Sequence, residues 1–227
     1  MDYIHRSLER KFLKMSSAFK AVMVTGARQV GKSTMLKALA QDSGRVCVSM
    51  DDADIRDLAQ RDPKLFFQMY QPPILIDEVQ KAPALLEQIK LLCDESDERG
   101  RFWLTGSQSK RLMKQAGDSL AGRIGILKMF SLSAKELAGK ADDIPDDYSL
   151  LSFIKRSQNY PANNILDVYE RIWAGGMPDM ASMDAELRRA YWNSYIDAYL
   201  MRDAVDDNGI HDTEGFRRFL RASAAFS

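Results

Sequence analysis

The apolar positions of this chain fall into two regimes. In the first, short runs that are apolar at nearly every position alternate with longer stretches where apolar residues recur every three or four. Ala21–Thr25, Arg45–Met50, Ile74-Leu75-Ile76, Arg101–Ser107 and Ile124–Phe130 are the short runs, and they read as strands. A strand apolar on successive side chains is buried on both faces, which is the situation of a parallel sheet covered by helices. Between the runs, Ile4, Leu8 and Phe12 share a helical face in residues 2–15, with Arg6, Arg10, Lys11 and Lys14 elsewhere on the surface. Met35, Leu36, Leu39 and Ala40 have helical spacing, and so do Leu85, Leu86, Ile89, Leu92 and Cys93. Pro63 and Pro72-Pro73 read as breaks.

From Ser133 onward no further buried-strand run occurs, and only the helical period remains. It is carried by 149–156, by Leu166, Tyr169, Ile172 and Trp173, and by Leu187, Tyr191, Tyr195, Ala198 and Tyr199 within 184–204. Gly175-Gly176-Met177-Pro178 marks a helix end, and Phe216, Phe219, Leu220 and Ala224 line a last helix. The expected fold class is α/β, with a five-stranded, mainly parallel sheet between helices followed by a small all-α region. The expected division is a core over 1–132, a helical lid-like region over 133–204 and the start of a truncated C-terminal domain over 205–227. Such a last helix is expected to leave an exposed apolar face.

Composition narrows the function classes. Lys+Arg and Asp+Glu are both 32 in 227 residues, so no whole-chain field draws the protein to nucleic acid or an anionic membrane. Cys47 and Cys93 lie in apolar runs without metal-ligand spacing and are expected to be core residues in a reducing setting. His5 and His211 are isolated. No apolar run approaches the roughly 20 residues of a membrane span, and the N-terminus lacks a signal core, so a soluble, cytoplasmic protein is expected.

The candidate chemistry begins between the first strand and the helix of Met35. Gly26-Ala27-Arg28-Gln29-Val30-Gly31-Lys32-Ser33-Thr34 fits a Walker A loop. Converging backbone N–H groups and the positive end of a helix cradle phosphate there; Lys32 adds a point charge, and Ser33 offers a hydroxyl to Mg²⁺. Asp77-Glu78, closing the apolar run Ile74–Ile76, has the form of a Walker B element. Asp77 would hold magnesium through water, and Glu78 would take a proton from the attacking water. Thr105 and Ser107 end another strand at the edge where ligands bind in such sheets. Arg123, at the start of the last strand, either stabilises the transferring phosphoryl group of its own or a neighbouring subunit or makes a local ion pair. Asp51-Asp52 either binds metal or caps the following helix.

Thr25–Thr34, Ile76–Pro83, Leu104–Gln108 and Ser119–Arg123 together resemble the successive motifs of a prokaryotic family of AAA+-like P-loop ATPases, in which a domain of unknown function follows the ATPase domain. Asp51-Asp52, Asp62-Pro63, Gly175–Pro178 and Arg202-Asp203 fall where that family has related residues. The resemblance implies that the Thr105 strand lies between the strands of the two Walker motifs, that Thr105 and Ser107 form the sensor-1 region, and that Arg28 and Arg123 match family arginines. The expectation is an ATP- and Mg-dependent hydrolase with Glu78, Lys32, Thr105 and Arg123 as catalytic groups. Nucleotide state would move the helical region. The alternative is a nucleotide-controlled interaction switch with little hydrolysis, acting on a protein partner, a second copy through the C-terminal helices, or DNA through Arg188, Arg189, Arg217, Arg218 and Arg221.

Overall fold

The structure, a computed structural model, describes residues 3–107, 112, 116–117, 119–142, 149–158, 164–200 and 210–225. Most of the polar segment 108–121, the acidic turn 142–147 beyond Asp142, and Arg202-Asp203 lie outside the described residues.

Five strands form the sheet: β1 Ala21–Gly26, β2 Val46–Ser49, β3 Ile74–Asp77, β4 Phe102–Ser107 and β5 Ile124–Lys128. They run in the order β2-β3-β4-β1-β5, and every pairing is parallel. The β4 strand thus separates β3 from β1, as the resemblance implies. Alternation of side chains across a strand divides the apolar runs between two cores. Ala21, Met23, Ile74, Ile76, Phe102 and Leu104 face one core, with Phe66, Leu85, Leu86 and Ile89. Val22, Val24, Leu75 and Trp103 face the other, with Phe12, Met35 and Leu36. The helices that supply those residues are α1 Leu8–Ser16, α2 Lys32–Ala40, α4 Pro63–Met69 and α5 Ala84–Asp94, and α3 Ala53–Arg61 adds Ala59 to the first core.

Two local expectations are corrected. Pro63 starts a helix instead of breaking one, because the first helical position needs no N–H and the Asp62 carboxylate accepts from Leu65 N at 2.9 Å. Cys47 is exposed on the edge strand β2, whereas Cys93 is buried as expected. Of the two acids after β2, Asp52 caps α3 by accepting from Asp54 N and Ile55 N, while Asp51 pairs with Lys81.

After β5 come α6 Ala134–Leu137, α7 Leu150–Gln158, α8 Ile165–Ala174, a short 3-10 turn Pro178–Ser182, α9 Ala185–Tyr195 and α10 Thr213–Ala225. No residue of α8, α9 or α10 is buried. Phe219 of α10 is exposed, in line with the apolar face expected there. Two residues of the 3-10 turn region do reach the core, since Met177 and Met180 join the cluster around Phe12 and Met35. None of the described helices is long and apolar enough to cross a membrane.

Candidate nucleotide-binding site

Every strand of a parallel sheet ends at the same edge, so the polar residues that close β1, β3 and β4 meet there. The loop after β1 requires glycine at two positions. A Cβ on Gly26 would come within 2.3 Å of the Met129 carbonyl oxygen, and Gly31 caps α2 with φ 93. The first bond of α2 runs from Met35 N to the Gly31 carbonyl, so the preceding amides project from the start of the helix. Lys32 is buried and its ammonium donates to the carbonyls of Gly26 at 3.1 Å and Ala27 at 2.7 Å. Its charge is thereby held at the mouth of the loop.

Asp77 joins the loop to the neighbouring strands. Its Oδ1 accepts from the Ser33 hydroxyl at 2.5 Å and also from the Thr105 hydroxyl. Thr105 in turn accepts from Glu78 N at 2.9 Å. Thr105 is wholly buried, and its hydroxyl orders Asp77 and the backbone of Glu78. Ser107, in register with Gly26, is the β4 hydroxyl beside the loop. Glu78 takes the left-handed conformation, φ 58 and ψ 46, and its carboxylate accepts from the Gln80 amide. A left-handed glutamate costs on the order of 1 kcal/mol, and here the Thr105 and Gln80 contacts hold it.

Arg123 is not part of this cluster. It precedes β5 at the opposite edge of the sheet, where Ala21 pairs with Ile124. Its Nε and Nη2 grip the Asp94 carboxylate at 2.6 and 3.0 Å. That hydrogen bond raises the guanidinium pKa and lowers that of Asp94. Of the alternatives for Arg123, the local ion pair is the one these contacts form. Two of the arginines considered for DNA also have internal partners: Arg188 donates to the Met180 carbonyl, and Arg217 pairs with Asp197 at 2.8 Å.

Residues 18–138, more than half of the sequence, match the family described as an AAA domain. The chain belongs to that family. Its sheet and flanking helices are accordingly an α/β fold of the P-loop ATPase type. Residues 165–227 match a domain of unknown function. Uncharacterized proteins of Mycobacterium tuberculosis and Mycobacterium bovis are each 28% identical over 184 residues, covering 80% of this chain and 35% of the relative. The chain spans about a third of the length of these curated relatives. Among solved structures, the Walker-type ATPase PABY2304 of Pyrococcus abyssi aligns with 99% of this chain and 78% of its own, at 14% identity and TM-score 0.49. Domain III of the Thermotoga maritima replication initiation protein DnaA aligns over 84% and 83%, at 13% identity and TM-score 0.43.

Several residues at the AAA site carried little signal in the sequence. Arg6 reads as one more surface cation on the first helix, yet it is buried against the loop. Its partner Glu136 lies in a capping box with Ser133, a spacing that is legible once α6 is suspected. Burial opposes the charge on Glu136, but hydrogen bonds from the Ser133 and Ser7 amides and the nearby Arg6 outweigh it and lower its pKa. Tyr191 and Tyr195 of α9 reach back to the loop: their hydroxyls donate to the Gln29 side chain and to the Arg28 carbonyl at 3.4 Å.

Proposed function

We propose that this AAA-family chain binds ATP at the Gly26–Thr34 loop and hydrolyses it to ADP and phosphate. The observation that carries the reading is the hydrogen-bonded chain Ser33–Asp77–Thr105–Glu78, which ties the loop to a carboxylate one residue beyond the magnesium-type aspartate. The backbone of Gly26–Gly31 and the start of α2 would surround the phosphates, with Ala27, Arg28, Gln29, Val30 and Thr34 completing the loop. Lys32 would turn its ammonium from the Gly26 and Ala27 carbonyls to the phosphate oxygens. A hydroxyl and a carboxylate converging within hydrogen-bond distance suit a hard divalent cation. Ser33 and Asp77 would hold magnesium, which when bound supplies positive charge beside the phosphates.

The Glu78 carboxylate accepts the proton of the attacking water; the Gln80 amide donates to that carboxylate, and the Thr105 hydroxyl holds the Glu78 backbone N–H. Positioning and charge do most of the work in such a site, so intrinsic turnover is slow where an element is missing. Lys32→Ala is expected to lose nucleotide, and Glu78→Gln to retain it without phosphate release; a Glu78→Gln protein that turns over like wild type removes Glu78 from the mechanism.

A second reading is a nucleotide-controlled interaction switch, acting on a protein partner or a second copy through the C-terminal helices. The contacts of Tyr191 and Tyr195 with Gln29 and Arg28 favour it, because they link residues 165–227 to the loop itself. Under this reading the division at 132/133 separates the nucleotide core from the region it moves, and 205–227 begins the next domain. Phosphate release that rises several-fold on adding a partner or on self-association would favour the switch; a rate independent of both would favour a plain ATPase.

A further inference from the structure

Arg6 lies in the segment before α1, 24 residues ahead of the loop residue it touches. It is 5% exposed, and its planar guanidinium reaches three acceptors from three segments. Nε donates to Glu136 Oε1 at 3.1 Å, Nη1 to the Val30 carbonyl at 2.7 Å, and Nη2 to the Phe130 carbonyl at 2.7 Å. Glu136 is itself fixed, accepting from Ser7 N at 2.8 Å and from Ser133 N at 2.7 Å. The carboxylate therefore sets the plane of the guanidinium, and the guanidinium sets the direction of the Val30 carbonyl.

That carbonyl belongs to the peptide joining Val30 to Gly31. In a trans peptide the C=O and the following N–H point in opposite directions, so a carbonyl held toward Arg6 leaves the Gly31 N–H on the other face of the loop. Gly31 has no Cβ and stands at φ 93, so its own conformational preferences do little to stop that peptide from turning over. We propose that Arg6, oriented by Glu136, is a positioning residue that locks the Val30–Gly31 peptide with its N–H facing the phosphate. The proposal rests on the nucleotide-binding reading of the loop. Lysine cannot replace the arginine, because one ammonium cannot present a planar fork to Val30, Phe130 and Glu136 together.

The test is calorimetric titration of the full chain with Mg-ADP, alongside the thermal midpoint without nucleotide, for wild type, Arg6→Lys, Glu136→Gln and Lys32→Ala. Arg6→Lys is expected to bind Mg-ADP about tenfold more weakly while its unliganded midpoint stays within a few degrees, as loss of a charge-assisted bond to the loop implies. Glu136→Gln, which keeps the arginine and loosens only its orientation, is expected to lose affinity by a smaller factor. A role in folding alone would lower the midpoint and leave the affinity of the folded protein unchanged; Arg6→Lys binding within twofold of wild type overturns the proposal. If Arg6→Lys does not fold, unchanged affinity in Glu136→Gln overturns it instead. Wild type that fails to bind, or Lys32→Ala that binds as wild type does, overturns the nucleotide reading and this proposal with it.

Discussion

The two edges of one sheet have been put to different uses. At the carboxyl edge, Lys32, Asp77 and Thr105 are buried polar groups, each bonded to another element of the site. At the amino edge, Arg123 and Asp94 form a pair open to solvent. The chemistry of the side chains is similar, but the surroundings are not. A buried polar group must be satisfied by specific partners or it costs stability, so its geometry is fixed; an exposed pair can exchange each partner for water at little cost. Pre-arranged charge belongs to the first edge, and the arginine at the second is held in a solvent-open ion pair.

Mutations should separate the edges by size of effect. Lys32→Ala, which removes the charge at the mouth of the loop, is expected to weaken Mg-ATP binding about a hundredfold or more, read by titration. Thr105→Val keeps shape and burial but deprives Asp77 and Glu78 N of their shared hydroxyl. Phosphate release should fall roughly 10- to 100-fold with a much smaller change in nucleotide affinity, as displacement of a catalytic group does. A Thr105→Val protein with normal turnover would show that the β4 hydroxyl is only a packing group.

The buried Arg6–Glu136 pair offers a pH test. Hydrogen bonds and Arg6 keep the Glu136 pKa below its ordinary 4.5 in the folded state. The carboxylate therefore stabilises the fold fully above about pH 4.5 and loses that contribution as the pH falls through the lowered value. The difference in thermal midpoint between wild type and Glu136→Gln is expected to be constant near neutrality and to shrink below about pH 4.5. The smallest effect is expected at the amino edge. Arg123→Ala should leave phosphate release within about twofold at every protein concentration, since an exposed pair contributes little. A collapse of turnover confined to concentrations where the chain self-associates would instead make Arg123 a group supplied to a neighbouring subunit.

Much of this is legible in the amino-acid sequence. The apolar runs at β1, β3 and β4 announced strands buried on two faces, and the glycine loop between β1 and α2 declared its need for a close backbone approach. Those signals are local, carried by neighbours in sequence. Arg6 was illegible because its partners lie 24, 124 and 130 residues away, and nothing in the local sequence pattern distinguishes it from Arg10. Thr105 is legible as a polar residue near the end of β4, but its partners are not, since strand assignment alone does not say that its hydroxyl faces the neighbouring aspartate. The partner of Arg123 is illegible for a related reason: its position at the start of β5 sets which edge it occupies, but not that Asp94 at the end of α5 meets it there. The helical period places Tyr191 and Tyr195 on one face of their helix but does not say what that face meets; they pack with the core cluster of Phe12 and Met35 and touch the loop.

The most direct measurement pairs binding with turnover in one preparation, comparing Mg-ATP affinity and steady-state phosphate release for wild type and Glu78→Gln. Wild type is expected to bind and to release phosphate, and Glu78→Gln to bind within a few-fold while its release falls by about 10²- to 10⁴-fold. Equal release from both proteins, with Mg-ATP bound by each, would contradict a hydrolytic site built on Glu78.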